Sequence, residues 1–414
     1  MIFTVESTNP NYTYILNKKP SSVKAAGIRG GQGVCWFTNL HNPTFVMAFI
    51  EGADTNSFGS DTGGYDYNNV YEYSSPEAAL ALLAEFAKDA LNPERVKEAG
   101  YDTTDGEHQV FFRCIALPYR YISSIAKLGW FDGVTVNEYR NDSGTATGLY
   151  QVSLISRGTF KQAMQKVAAF MYAACRIMNP VGSNNDDDFL ARYLGIIAAS
   201  DAPYLVRYHA KRGSNRLYHE LNTGSIALTA GDTHQERIRW VAQQLDVLGA
   251  GSFLDYGAGE GRHAKSAYNK DRDVYVYDID DAAVRVLRGL ERNVDNITFV
   301  ESDELTSIAV DAVVLSEVIE HMDIELARQV CKMLLELHGT LVITTPNRDF
   351  NVNYGTTGVR RADHLYEYSV AEFTAFVNGL IDVDADSATI HHVGDTVNGQ
   401  GVSLGAIVRK GTKI

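Results

Sequence analysis

The sequence is poor in the features that would take it outside ordinary globular proteins. It has only four cysteines in 414 residues, Cys35, Cys114, Cys175 and Cys331. They form no CxxC pair and no dense framework, which argues against structural zinc or a disulfide scaffold. No run of about 18 apolar residues occurs, the length a helix needs to cross a bilayer. The opening MIFTVESTNP has no basic stretch followed by an apolar one, so nothing there marks export, and a reduced, cytoplasmic protein is expected. Positive charge is scarce too: 37 Lys/Arg stand against 51 Asp/Glu, a formal charge of -14. That balance opposes non-specific wrapping of a nucleic acid or an anionic membrane. It leaves room for a local basic groove, or for a metal that meets a phosphate or ribose end. No repeat of solenoid period is present.

What remains is a chain of ordinary globular composition, 45% hydrophobic and 21% charged, long enough for two or three domains. The acidity is concentrated late: from Asp232 onward there are 17 Lys/Arg against 29 Asp/Glu, and before it 20 against 22. The first part reads as α+β. Short alternating runs (IFTV, VCWF, TFVMAFI, HQVFFRCIAL) mix with helical stretches from Ser74, from Gly158 and from near Asp188, where apolar residues return every three or four positions. The acidic trio Asp186 to Asp188 suits a helix N-terminus better than a metal. The Gly/Ser/Asn/Asp/Tyr stretch Asp54 to Ser75 reads as a long loop or mobile insertion. Between Tyr204 and His219 lies the most basic segment, with Arg207, Lys211, Arg212 and Arg216. It reads first as a solvated linker and second as an RNA contact in which Tyr208 or Tyr218 offers a stacking face. The expected division is therefore an N-terminal α+β domain over 1–203, a basic linker over 204–231 and a second domain over 232–414. The last opens with a Thr233 to Glu236 capping box and an apolar face of Ile238, Val241, Leu245 and Leu248.

The second domain carries the chemistry. A strand ending at Asp255 runs into Gly257-Ala258-Gly259-Glu260-Gly261 and then a helical pattern, a turn that brings backbone close to a ligand. A second strand ends at Asp278, placed to accept from ribose hydroxyls, and a third is expected to end at Asp303. The acidic residue before the turn and the D-x-G-x-G-x-G spacing favour S-adenosylmethionine over a dinucleotide. A fourth strand leads into Glu317-Val318-Ile319-Glu320-His321. On a helical turn Glu317, Glu320 and His321 would share one face, a donor set for Mn²⁺, Mg²⁺ or Fe²⁺. Standing alone, such a cluster is more often a solvated helix start.

The strand, turn, helix, strand, acid series resembles the Rossmann-like class I methyltransferases. In that family the residue at Asp255, with the turn glycines Gly257, Gly259 and Gly261, meets the methionine part of the cofactor; the one at Asp278 holds its ribose and the one at Asp303 lies beside the adenine. Further on come TPNRDFN from Thr345 and DHLYEYS from Asp363. Together with EVIEH these resemble, in the same order, motifs of the RNA 3'-terminal ribose 2'-O-methyltransferases of the HUA-enhancer (Hen) family, in its bacterial branch. The resemblance spans Asp232 to the C-terminus, and a looser one covers the first residues to about Phe37. It implies that Glu317, Glu320, His321 and His364 bind a divalent metal, Mn²⁺ or Mg²⁺, against the 2' and 3' oxygens of an RNA end. His321 is implied as the residue best placed to take the proton. It also implies an RNA-repair setting beside a polynucleotide kinase-phosphatase-ligase. Ala258 stands where cysteine is common in the family, Tyr366 and Tyr368 where Phe and Trp are, and Asp349 where Glu is. His263, His338, His391 and His392 match no ligand position and read as surface or packing residues. Two other readings stay open: a methyltransferase for a small molecule or protein, with EVIEH as helix surface, and a non-catalytic scaffold that recruits an RNA ligase.

Overall fold

The computed structural model describes residues 1–28, 31–38, 43–51, 74–91, 104–178, 187–211, 233–267, 272–382 and 386–411. The chain forms two compact units, Met1–Ala230 and Gly231–Ile414.

In the first unit the alternating runs become strands β1 (Ile2–Ser7), β2 (Lys24–Ile28), β3 (Gly31–Phe37), β4 (Phe45–Glu51), β5 (Gly106–Ala116), β6 (Gly133–Arg140) and β7 (Ala146–Gly158). They pair antiparallel in the order β2-β3-β4-β1-β5-β7-β6. Period-two alternation buries one side: in β7 Tyr150, Val152, Leu154 and Ser156 are buried, and Gln151, Ser153 and Ile155 between them are only partly covered. The helix Phe160–Met178 packs against β5 and β7 through an almost wholly apolar buried face. The helix expected from Ser74 comes in two pieces, Pro76–Phe86 and Lys88–Leu91, because Ala87 leaves helical geometry at φ -118°. A helix does form over Asp187–Ala199; Asp186 and residues 54–73 of the expected loop lie outside the described residues.

The start of the expected linker needs correction. Residues Tyr204–Lys211 are a helix with Tyr204, Leu205, Val206 and Ala210 buried, packed on the helix Phe160–Met178 within the first unit. Its apolar positions recur at helical spacing and outweigh the basic residues between them. Arg207 donates to the carbonyl of Ala202, and Tyr208 stacks on Tyr204 with ring centroids 6.0 Å apart. Arg212, Arg216 and Tyr218 fall outside the described residues.

The second unit is built on β8 (Ser252–Tyr256), β9 (Asp273–Tyr277), β10 (Ile297–Phe299), β11 (Ala312–Ser316), β12 (Thr340–Pro346), β13 (Ser387–Val397) and β14 (Gln400–Arg409). Their order is β10-β9-β8-β11-β12-β14-β13; the first five are parallel, and the β13–β14 hairpin adds antiparallel on β12. Near-continuous apolar runs such as Ala312–Leu315 are buried on both faces, as a helix-covered parallel sheet requires. The helix Thr233–Leu248 turns Ile238, Val241 and Leu245 inward, and Trp240 rests on β14 at Gly405. A Cβ at Gly405 would sit 2.6 Å from the Trp240 ring, so only glycine fits there. The strand order reverses between β8 and β11, which opens a crevice at their carboxyl ends, where ligands bind in such sheets. Among the described residues no helix is long and apolar enough to cross a membrane.

Candidate functional site

The glycine turn leaves β8 on one side of that crevice. Gly257, Gly259 and Gly261 all have positive φ, at 76°, 54° and 69°, a region L side chains rarely enter. The turn is held from β9: the amides of Gly257 and Ala258 both donate to the carbonyl of Tyr277, and that of Gly259 donates to Asp278 Oδ2 at 2.8 Å. Asp278 Oδ1 accepts from the Asp280 amide. Asp278 thus braces the turn while its carboxylate keeps further acceptor capacity. Asp303 does not end a strand. β10 stops at Phe299, and Asp303 lies beyond it in an exposed turn.

Asp255 is 1% exposed, and its Oδ2 has no partner. Burial, and then the nearby Asp278 carboxylate, push its pKa up from 3.8 to about 7, against a hydrogen bond from the Ala264 amide. A carboxyl raised on folding is taken up as the neutral acid by the folded state between about pH 4 and pH 7, so its contribution to stability falls as pH rises through that window. Asp255→Asn is therefore expected to raise the melting temperature of the cofactor-free protein at pH 8, by on the order of a few kcal/mol of stability, and to change little near pH 4. Equal melting of the two proteins at pH 8 would contradict this.

On the other side of the crevice, β11 runs into Glu317, which has φ 58°. The 3-10 turn Ile319–His321 follows. The expected α-helical turn is absent, and with it the shared face of Glu317, Glu320 and His321. The left-handed residue sends Glu317 elsewhere: its Oε2 lies 3.1 Å from Arg237 Nη1, and its Oε1 accepts from Thr344. Glu320 and His321 are instead joined by His364. Among the described residues the ligand atoms of these three lie within 4.8 Å of one another, and the two imidazoles stand at 88° with centroids 5.0 Å apart. The loop carrying His364 is tied to the turn by main chain, since the amides of Leu365 and Tyr366 both donate to the carbonyl of Glu320.

Glu320 is fully buried; Oε2 accepts from Thr345 Oγ1 at 3.2 Å, and Oε1 has no partner. Burial first, and the Glu317 carboxylate second, raise its pKa well above the carboxylate range. A buried acid with an orphaned oxygen is costly unless a cation meets it. The imidazoles fit that requirement. His321 Nδ1 lies 2.9 Å from the carbonyl of Asp363, and His364 Nδ1 lies 2.6 Å from Glu367 Oε1. A carbonyl oxygen only accepts, so Nδ1 of His321 is the donor there, and the carboxylate gives Nδ1 of His364 the same role; in each ring that leaves Nε2 as the nitrogen available to a metal. One carboxylate oxygen and two imidazole nitrogens form a donor set suited to a divalent transition metal.

Sequence reasoning passes over Arg237, Thr344, Thr345, Asn351 and Glu367. Glu367 stands at i+3 from His364 inside the DHLYEYS segment, which is a local signal; Arg237 comes from a helix far upstream and leaves none. His263 is buried beside Arg237 and His234, and burial lowers its pKa to about 3. His391 packs on Trp240, and His392 accepts from the Gly401 amide.

A sheet of this order, with a glycine turn after its first strand and an acidic residue after its second, defines a Rossmann-like methyltransferase. Residues 229–381 match the methyltransferase domain family. Residues 2–218 match the Hen1 N-terminal domain, more than half of the chain, and the protein belongs to the Hen1 family. None of the curated proteins matches the sequence. Among solved structures, a chain of the Pnkp1/Rnl/Hen1 RNA repair complex is similar at 21% identity and TM-score 0.68, covering 99% of this chain and 100% of that one. A chain from a second structure of a Pnkp1/Rnl/Hen1 complex is similar at 20% identity and TM-score 0.64 with the same coverage. At these identities the likeness is one of fold.

Proposed function

We propose that the protein transfers the methyl group of S-adenosylmethionine to the 2'-hydroxyl of the 3'-terminal ribose of RNA, with a divalent metal, as one step of RNA repair. The observation that carries this reading is the grouping of Glu320, His321 and His364 around an unpartnered, buried carboxylate oxygen. That grouping lies next to the cofactor turn, because Val318, which leads into it, stands 2.7 Å from where a Cβ on Gly257 would sit. Family membership supports the RNA-repair setting, and the similar Pnkp1/Rnl/Hen1 assemblies support a kinase-phosphatase-ligase partner.

Asp255, Gly257, Gly259, Gly261 and Asp278 would hold the cofactor, whose sulfonium supplies an electrophilic methyl group. The orphaned Asp255 Oδ2 suits the cofactor's ammonium, and Asp278 suits ribose hydroxyls. Asp303, exposed beyond β10, is assigned a lesser place at the adenine edge. Glu320, His321 and His364 would hold the metal, with Glu317 the fourth candidate once it parts from Arg237. A bound divalent cation, Mn²⁺ or Mg²⁺, polarises a hydroxyl oxygen and lowers its pKa. Of the two imidazoles His321 is exposed and His364 buried, so His321 is assigned the proton of the 2'-hydroxyl; its Nε2 takes that proton only when it is not holding the metal, and the two roles are alternatives for that nitrogen.

Labelled methyl transfer from S-adenosylmethionine to RNA with a 2',3'-diol end should occur with Mn²⁺, and should fail on ends carrying a 3'-phosphate or a 2'-O-methyl group. Equal labelling of diol and phosphate ends would overturn the reading and point to another acceptor.

A further inference from the structure

The acceptor beneath His364 differs in kind from the one beneath His321. His321 leans on a main-chain carbonyl, whereas buried His364 leans on the carboxylate of Glu367, which is itself fully buried. Glu367 has no path to solvent, yet every donor around it is placed. Its Oε1 accepts from the Arg360 amide at 3.2 Å as well as facing His364 Nδ1, and its Oε2 accepts from Asn351 Nδ2 at 2.5 Å. Asn351 is in turn tied to the carbonyl of Gly358. Burying a carboxylate this deeply is unfavourable unless it is fully hydrogen-bonded. Here three donors from the 3-10 turn Arg348–Tyr354, the loop after it and His364 converge on one side chain.

We propose that Glu367 is a positioning residue for the metal site: its carboxylate fixes the His364 ring and tautomer, aims Nε2 at Glu320 and His321, and so sets the affinity for the metal. The inference rests on the metal reading of that site. Its physical basis is that an imidazole ligand whose other nitrogen donates to a carboxylate is a stronger and better-oriented donor, and loss of such a partner commonly weakens metal binding about 10–100-fold. The rival explanation is that Glu367 only holds the loop together through Asn351 and the Arg360 amide. The two separate cleanly, because Asn351 touches Glu367 without touching His364 in the hydrogen-bond pattern.

The test measures Mn²⁺ affinity directly, by the loss of free-ion paramagnetic resonance signal on titration into the full-length protein, with no RNA or methyl donor present. Glu367→Gln keeps the volume and should weaken Mn²⁺ binding about 10–100-fold while S-adenosylhomocysteine affinity holds. Asn351→Ala should loosen the loop, lower the melting temperature and leave Mn²⁺ affinity close to wild type. Glu367→Gln binding Mn²⁺ like wild type, or Asn351→Ala losing as much affinity as Glu367→Gln, would overturn the proposal. Failure of the wild-type protein to bind Mn²⁺ would instead overturn the metal reading on which it stands.

Discussion

Glu320→Gln and His321→Ala are each expected to abolish methyl transfer and to leave S-adenosylhomocysteine binding intact. That is the expected result if the three-residue group holds a metal. The Glu320→Gln change preserves volume and the bond from Thr345 but removes the negative oxygen, and His321 is exposed, so its loss leaves the core untouched. A metal is worth several kcal/mol of transition-state stabilisation, so transfer should fall on the order of 10³-fold or more. Treating the wild-type protein with a chelator should give the same loss, restored by Mn²⁺. The measurement is methyl transfer to an RNA diol end, paired with calorimetric binding of S-adenosylhomocysteine. Undiminished transfer in Glu320→Gln, or indifference to the chelator, would overturn the metal reading of this group.

Gly257→Ala should strike cofactor and metal together. Residue 257 has φ 76°, and a Cβ there would come within 2.7 Å of Val318 Cγ2. An L side chain in the left-handed region costs roughly 1–2 kcal/mol, and the overpacking roughly 1–3 more. The free protein relieves this strain by distorting the turn, and the cofactor must restore it, so at 1.4 kcal/mol per tenfold S-adenosylhomocysteine affinity should drop by about 30-fold. Relief of the clash pushes Val318 away, and Val318 leads directly into the turn with Glu320 and His321. Mn²⁺ affinity should therefore weaken in the same variant. Gly289→Ala is the control: Gly289 lies in the helix Asp281–Asn293 with nothing within 4 Å of the added Cβ, and it should be neutral or slightly stabilising. If Gly257→Ala lowers cofactor affinity but leaves Mn²⁺ binding intact, the two sites are not joined through Val318.

The glycine turn is legible in the sequence because its signals are local. Glycines at 257, 259 and 261 and acids at 255 and 278 mark strand ends and a left-handed turn through backbone geometry alone, and the structure puts them there. Asp303 is misplaced by sequence reasoning because β10 is only three residues long, too short for its end to be read from apolar alternation. Glu317 is misplaced for a different reason. A helical face for EVIEH requires α-helical spacing, but the chain leaves β11 through a left-handed residue and a 3-10 turn, and neither has that spacing. At 204–211 the basic residues suggest a linker only while charge is weighed ahead of periodicity; the apolar spacing makes a packed helix.

By itself the sequence determined the class of sheet, the order of its acidic and glycine landmarks and the residue types available for a metal, since each depends on periodicity or on neighbours along the chain. Only the tertiary structure decided which of those residues meet. It paired Glu317 with Arg237, brought His364 from a distant loop to Glu320 and His321, and placed Glu367 beneath it. Those partners lie on separate elements, and their approach is set by main-chain hydrogen bonds such as Leu365 to Glu320 and by burial, neither of which leaves a mark in local sequence.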